Sequence, residues 1–320
     1  MKYSRMMSKI GLNRRAFLKA SGIAAAGAAL GASAEPRAAK DSEIPERANP
    51  EQLADANAID LVNVLQGTDS TRVFSRGNTL PIAALPFGMA HWTIQSQSNT
   101  PWMFHPRDRR IQGFRCTHQL SPWLSDYGQA VFLPYSGEPN PSPELRSSSW
   151  RPERAQLHPY SFRISLTRSQ ADVELVPTDR CALLTARFDG NAPRGFLIEC
   201  PGKSASFHAD AASRTIRFKS TVNDGGVPEN FATYYVVRFA GSWDRFDSHQ
   251  TNENEIATVR FKSAGSIEAR IATSFISFEQ CMETARGLGG ICKQNPSYQQ
   301  SGERGPAYGA RGQSRRGRWQ

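Results

Sequence analysis

The sequence has 320 residues, 39% hydrophobic and 21% charged, with 39 Lys and Arg against 29 Asp and Glu. That apolar content excludes wholesale disorder, and no run reaches the ~18–20 apolar residues of a bilayer span, which excludes a multi-pass membrane protein. The net charge of +10 is concentrated at the two ends: Lys2, Arg5, Lys9, Arg14, Arg15 and Lys19 face no acid in residues 1–34, and seven Arg and Lys outnumber two acids in 282–320. The middle is close to neutral, so a phosphate-tracking basic face, and with it a nucleic-acid partner, is not expected.

In chain order, the first element is an address. Asn13, the pair Arg14 and Arg15, then Ala16, Phe17, Leu18 and Lys19 precede a weakly apolar run to Ala34, closing in Ala32-Ser33-Ala34. The run is too short to span a bilayer and right for the h-region of an export signal. The pattern is similar to a twin-arginine signal, which predicts cleavage after Ala34 and a periplasmic or extracellular location. Residues 35–57 are polar and rich in Pro and Ala and read as a linker.

From 58 to 280 the dominant signal is short runs of strand length bounded by Gly, Pro, Asp, Asn or Ser. Residues 160–166, 172–176, 181–188, 195–200, 215–218, 232–239, 256–261 and 267–276 are the predicted strands, several alternating with period two. Repeated strands without a helical period between them predict an all-β chain, an antiparallel sandwich. No glycine-rich nucleotide fingerprint is present. Residues 281–320 then turn rich in Gly and Arg and read as a disordered basic tail. The five cysteines, Cys116, Cys181, Cys200, Cys281 and Cys292, have no metal spacing and do not dictate a disulfide pairing. Buried free thiols are expected in the middle of the chain.

Three segments between 61 and 131 carry the functional signal. Residues 61–69 read Leu-Val-Asn-Val-Leu-Gln-Gly-Thr-Asp. Residues 77–89 read Gly-Asn-Thr-Leu-Pro-Ile-Ala-Ala-Leu-Pro-Phe-Gly-Met. Residues 111–128 read Ile-Gln-Gly-Phe-Arg-Cys-Thr-His-Gln-Leu-Ser-Pro-Trp-Leu-Ser-Asp-Tyr-Gly. Taken alone they are Gly- and Pro-punctuated loops dense in polar and aromatic groups, the kind of segment that binds ligands on a rigid scaffold. A tryptophan can cover the C–H face of a sugar ring, which makes Trp102 and Trp123 candidates for binding. Asn78, Arg115, His118, Gln119 and Asp126 are candidates for contacts to hydroxyls. Trp92 reads instead as a packing residue, and the histidines have no zinc spacing.

Together, in order and spacing, the three segments resemble the N-terminal domain of glycoside hydrolase family 92, the calcium-dependent exo-acting α-mannosidases. Residues 274–280, Ser-Phe-Ile-Ser-Phe-Glu-Gln, resemble that domain's end. The resemblance implies a large β-sandwich over 58–280 whose loops form one wall of a cleft shared with an (α/α) toroid. It also implies a mannose-containing glycan as ligand. The family's general acid, its general-base pair and most of its calcium ligands lie on the toroid, and nothing after Gln280 resembles it. The expectation is therefore a domain without hydrolysis of its own, to which no catalytic residue or calcium ligand can be assigned. Asp69, Asp108 and Asp126 are the local carboxylates, and the resemblance gives none of them the acid or base role. Two other readings stay open: a stand-alone carbohydrate-binding module, and half of a split α-mannosidase whose catalytic domain is a separate chain.

Overall fold

Alternating apolar and polar residues build most of the strands, because successive side chains of an extended chain point to opposite faces. The computed structural model describes residues 58–291 apart from 72, 99–101, 202–205, 225, 252–253 and 263–264. The expected signal residues Arg14, Arg15 and Ala34, the 35–57 linker and residues 292–320 lie outside the described residues.

The strands are β1 (Ile82–Ala83), β2 (His91–Gln95), β3 (Arg110–Ile111), β4 (Gly113–Thr117), β5 (Ala130–Ser136), β6 (Ser148–Ser149), β7 (Gln156–His158), β8 (Ser161–Leu166) and β9 (Ala171–Pro177). They continue as β10 (Cys181–Phe188), β11 (Arg194–Pro201), β12 (His208–Asp210), β13 (Thr215–Ser220), β14 (Thr233–Phe239), β15 (Arg245–Gln250), β16 (Asn254–Phe261) and β17 (Ser266–Ser274). The α-helices are α1 (Pro143–Arg146) and α2 (Phe278–Ile291). Two large sheets form. The first runs β1-β2-β4-β5-β11-β16-β15, the second β12-β13-β14-β17-β10-β9-β8-β7. Their pairings are antiparallel, so the expected antiparallel sandwich is what the chain forms.

The core lies between the sheets. Trp92, Phe114, Phe132 and Phe196 point inward from the first sheet and Phe218, Tyr235 and Phe239 from the second, all nearly inaccessible. Rings meet across the gap: Phe132 to Phe218 at 6.5 Å, Phe132 to Tyr235 at 6.1 Å, and Phe196 to Phe239 at 5.2 Å between centroids. Trp92, with 0% exposure and its ring 5.7 Å from Phe132, is a packing residue as expected.

The first sheet is covered on its other face as well. Gln95, Arg115, Arg146 and Glu199 are all buried there, and buried polar groups must find partners. Arg115 Nε donates to Gln95 Oε1 at 2.8 Å, and Gln95 Nε2 to Gln112 Oε1 at 3.0 Å. Arg146, on α1, donates to the Gln112 carbonyl at 3.3 Å and pairs with Glu199. Asn254 Nδ2 closes the series on Glu199 Oε1 at 2.6 Å.

Residues 281–291 depart from the sequence reading. They continue α2 instead of opening a tail. The start is an N-cap serine: Gln280 N donates to Ser277 Oγ at 3.2 Å, while Gln280 Oε1 accepts from Ser274 Oγ. Phe278, Cys281, Met282 and Ala285 pack on Cys181, Leu183, Val236 and Ala272, the outward residues of β10, β14 and β17. Tertiary packing thus overrides the weak helix propensity of a glycine-containing segment. Among the described residues no helix is long and apolar enough to cross a membrane.

Candidate functional site

The motif region is built from strands as well as loops. Residues 91–95 and 113–117 form β2 and β4, paired with His91 opposite Thr117 and Thr93 opposite Arg115. This register places His91, Thr93, Gln95, Arg115 and Thr117 on the sheet face away from the sandwich core, at the root of the 118–128 loop.

Asp126 organises that loop. Its Oδ1 accepts from the backbone N–H of His118 at 3.0 Å and of Tyr127 at 2.9 Å. The backbone then continues through Gly128, whose N–H donates to the Val222 carbonyl at 2.7 Å and whose carbonyl accepts from Tyr235 Oη at 2.6 Å. The His118 ring stacks on Tyr127, 5.0 Å between centroids, and meets the edge of Phe275 at 5.1 Å. Its Nδ1 lies 2.8 Å from the Tyr127 carbonyl. A carbonyl only accepts, so Nδ1 carries the proton and Nε2 presents a lone pair. Burial lowers the pKa of His118 against the opposing pull of Asp126, and does the same to His91. The imidazole is therefore a neutral acceptor near pH 7. Burial also lowers the pKa of Arg115, with Asp126 the first opposing influence. Asp126 is thus the acid that opposes the effect of burial on His91, Arg115 and His118.

Among the described residues, several atoms in this region are buried without a hydrogen-bond partner: His118 Nε2, Asp126 Oδ2, His91 Nδ1 and Thr93 Oγ1. Buried polar atoms are seldom left unpaired, so the cluster has capacity for a hydroxyl-bearing ligand. Beside it, Trp123 belongs to the turn Pro122–Leu124 and is 52% exposed. Trp102 meets it edge to face at 5.0 Å, so the two candidate indoles come together.

The other candidates are placed differently. Arg115 was expected to reach hydroxyls, but it is buried on β4 with its Nε committed to Gln95. Gln119 is half-buried, its backbone tied to Thr117 Oγ1. Asn78 has φ +50 and donates from Nδ2 to Ser75 Oγ at 2.7 Å, with its Oδ1 buried and unpaired. Its loop joins the His118 loop through Leu80 N to the Leu120 carbonyl at 3.0 Å. Of the local carboxylates, Asp69 is held by Arg76, Arg107 and His105, and the Arg107 hydrogen bond lowers its pKa. Asp108 accepts from Ser96 Oγ at 2.6 Å and Gln97 Nε2 at 3.0 Å. Both have structural employment. His91, absent from the sequence-derived candidates, was hidden because its relevance comes from its pairing opposite Thr117.

Calcium takes six to eight oxygen ligands. The cluster offers one carboxylate among imidazoles and a guanidinium, and no group of three or more His, Cys, Asp or Glu among the described residues is arranged to hold a metal. These residues do not fit a calcium site.

Leu120 and Trp123, in the same loop as His118 and Asp126, are exposed apolar side chains. Phe87 is fully exposed, at φ +62.

The family model for the glycosyl hydrolase family 92 N-terminal domain matches residues 61–283. Among solved structures, the chain is similar to a family GH92 inverting mannosidase from Bacteroides thetaiotaomicron VPI-5482, with 28% identity and a TM-score of 0.69, over 72% of this chain and 33% of that one. It shares the fold of a second GH92 α-mannosidase from Bacteroides thetaiotaomicron, solved in complex with mannoimidazole, with 19% identity and a TM-score of 0.62, over 73% of this chain and 35% of that one. The chain thus spans about a third of the length of these structures. No curated protein matches it.

Proposed function

The chain belongs to glycosyl hydrolase family 92, whose N-terminal domain it carries, and from that premise we propose that it forms one wall of a glycan cleft that binds terminal α-mannosyl residues. The observation that carries this reading is the pairing of an exposed indole, Trp123 against Trp102, with buried acceptors on the same loop, His118 Nε2 and Asp126 Oδ2. A pyranose has apolar C–H faces and polar edges, and this arrangement meets both. Asn78 and Gln119 stand at the edge of the same loops, and Arg115 lies buried on β4 with its Nε on Gln95.

Hydrolysis with inversion needs a proton donor and a base across the scissile bond, with carboxyl groups about 6.5–9.5 Å apart. Asp69 and Asp108 are engaged elsewhere, and Asp126 holds its own loop. In this reading the acid, the base and the calcium ligands come from a partner domain of the (α/α) type, and the exposed Leu120 and Trp123 of the 118–128 loop meet it. The amino-terminal Arg14-Arg15 motif supports twin-arginine export, with the protein acting outside the cytoplasm.

The test is a titration of the full chain with mannose and α-mannobiose, followed by tryptophan emission. A dissociation constant of about 1 mM is expected, because half a cleft provides only about 4 kcal/mol. Trp123→Ala should weaken binding at least tenfold. Emission that stays flat to about 100 mM sugar sinks the reading. Calcium-dependent release of mannose from an aryl α-mannoside by the chain alone would show that the acid and base lie within it.

A further inference from the structure

The outer face of the second sheet is divided. Helix α2 covers β14, β17 and the start of β10 through Phe278, Cys281, Met282 and Ala285. Beyond it, β10, β9, β8 and β7 turn polar side chains outward. Cross-strand register aligns Thr185 with Glu174, Glu174 with Arg163, and Arg163 with Gln156 in one row. Arg187, Asp172 and Ser165 form the next row. Together with Arg154 from the turn Pro152–Arg154, these residues line a groove of about 320 Å³. That lies in the size range of ligand pockets, about 300–1,000 Å³.

The charges in the groove are unevenly matched. Arg163 is engaged: its guanidinium donates to Glu174 Oε1 at 2.8 Å and to Gln156 Oε1 at 3.3 Å. Asp172 accepts from Ser165 Oγ. Among the described residues Arg154 and Arg187 have no side-chain partner, leaving two free guanidinium forks against one carboxylate. Such forks match carboxylate, sulfate and phosphate oxygens two at a time. A bare anion is a poor fit, because Asp172 and Glu174 would repel it. A ligand bearing both an anionic group and hydroxyls satisfies the whole lining. The anionic group meets Arg154 and Arg187, and the hydroxyls donate to Asp172 and Glu174.

From the groove we propose a second glycan site, separate from the cleft, for an anionic saccharide carrying sulfate, phosphate or uronate. It does not depend on the reading of the cleft. The experiment uses the full chain at low salt and isothermal titration with a heparin-derived tetrasaccharide, mannose 6-phosphate, oligogalacturonate, inorganic sulfate and a neutral manno-oligosaccharide. At least one anionic saccharide should bind, and Arg154→Ala/Arg187→Ala should weaken it at least tenfold. Both arginines are exposed, so the variant keeps its fold, and it retains the arginines at 304–318, so a loss belongs to the groove. Asp172→Ala should weaken the saccharide but not inorganic sulfate. Trp123→Ala should leave this binding unchanged, which separates it from mannose binding in the cleft. The proposal is overturned if no anionic saccharide binds up to about 10 mM, if the double variant binds as well as the parent, or if the neutral oligosaccharide binds as tightly.

Discussion

Gly128 joins the Asp126 loop to the sandwich, and a methyl group placed there tests how firmly the loop is held. Its φ is +58, where an L-residue with a Cβ costs about 1–2 kcal/mol. The added Cβ would also lie 1.8 Å from Thr233 Oγ1 and 2.6 Å from Thr233 Cβ. Thr233 is buried on β14 and β-branched, so it cannot swing aside, and overpacking of this kind costs about 1–3 kcal/mol. Gly128→Ala should therefore lose roughly 2–5 kcal/mol. Gly137→Ala is the matched control, with φ +84 and nothing within 4 Å of the added carbon. It should lose only the backbone part, and the gain from stiffening the unfolded chain is common to both and cancels. For a domain of this size each kcal/mol shifts Tm by about 2–4 °C. Thermal unfolding followed by circular dichroism should place Gly128→Ala well below Gly137→Ala. Equal midpoints would refute the reasoning, because they would mean that the loop relaxes away from Thr233 at no cost.

Other outcomes follow from burial and charge. His118 and His91 have lowered pKa values in the folded protein, so below about pH 6.5 the unfolded chain takes up protons that the folded one refuses. Stability should fall from pH 7 towards pH 5, less steeply in His118→Asn, whose amide retains the bond to the Tyr127 carbonyl; parallel pH profiles would count against it. Burial raises the Cys116, Cys200 and Cys281 thiols to about 12, so at pH 8 iodoacetamide should label them only in denaturant, read by peptide mass mapping. Glu199→Ala strands Arg146 as a buried charge and should cost about 3–5 kcal/mol in urea unfolding, whereas Arg146→Met/Glu199→Met should recover most of it.

The sandwich was legible where alternation was plain. Residues 181–188 were read as a strand and form β10 with the same bounds, and 160–166 and 172–176 became β8 and β9 within a residue or two. The first sheet was harder. β2, β4 and β5 are nearly covered on both faces, so their sequences do not alternate, and Gly113 and Pro134 within them imitate loop punctuation. The motifs pointed to the 118–128 loop, but they could not say which of its polar side chains are spent on holding it. Arg115 and Asp126 look alike in sequence. Only the hydrogen bonds show that Arg115 serves Gln95 while, among the described residues, Asp126 Oδ2 has no donor. Helix α2 was missed because the glycines from 287 on gave the whole segment the composition of a tail, whereas its helix is held by packing on the second sheet.

The edge-to-face contact of Trp102 and Trp123 has an optical consequence. Two indoles 5.0 Å apart at 79° couple their ultraviolet transitions, and such a pair gives a split circular dichroism couplet on top of the β-sheet signal. The two rings ride on different loops, so the couplet exists only while both loops keep their mutual position. The pair of loops therefore carries its own intrinsic gauge of assembly, readable without a label. It should vanish in either single tryptophan variant, and it should respond to whatever settles between or against the two rings.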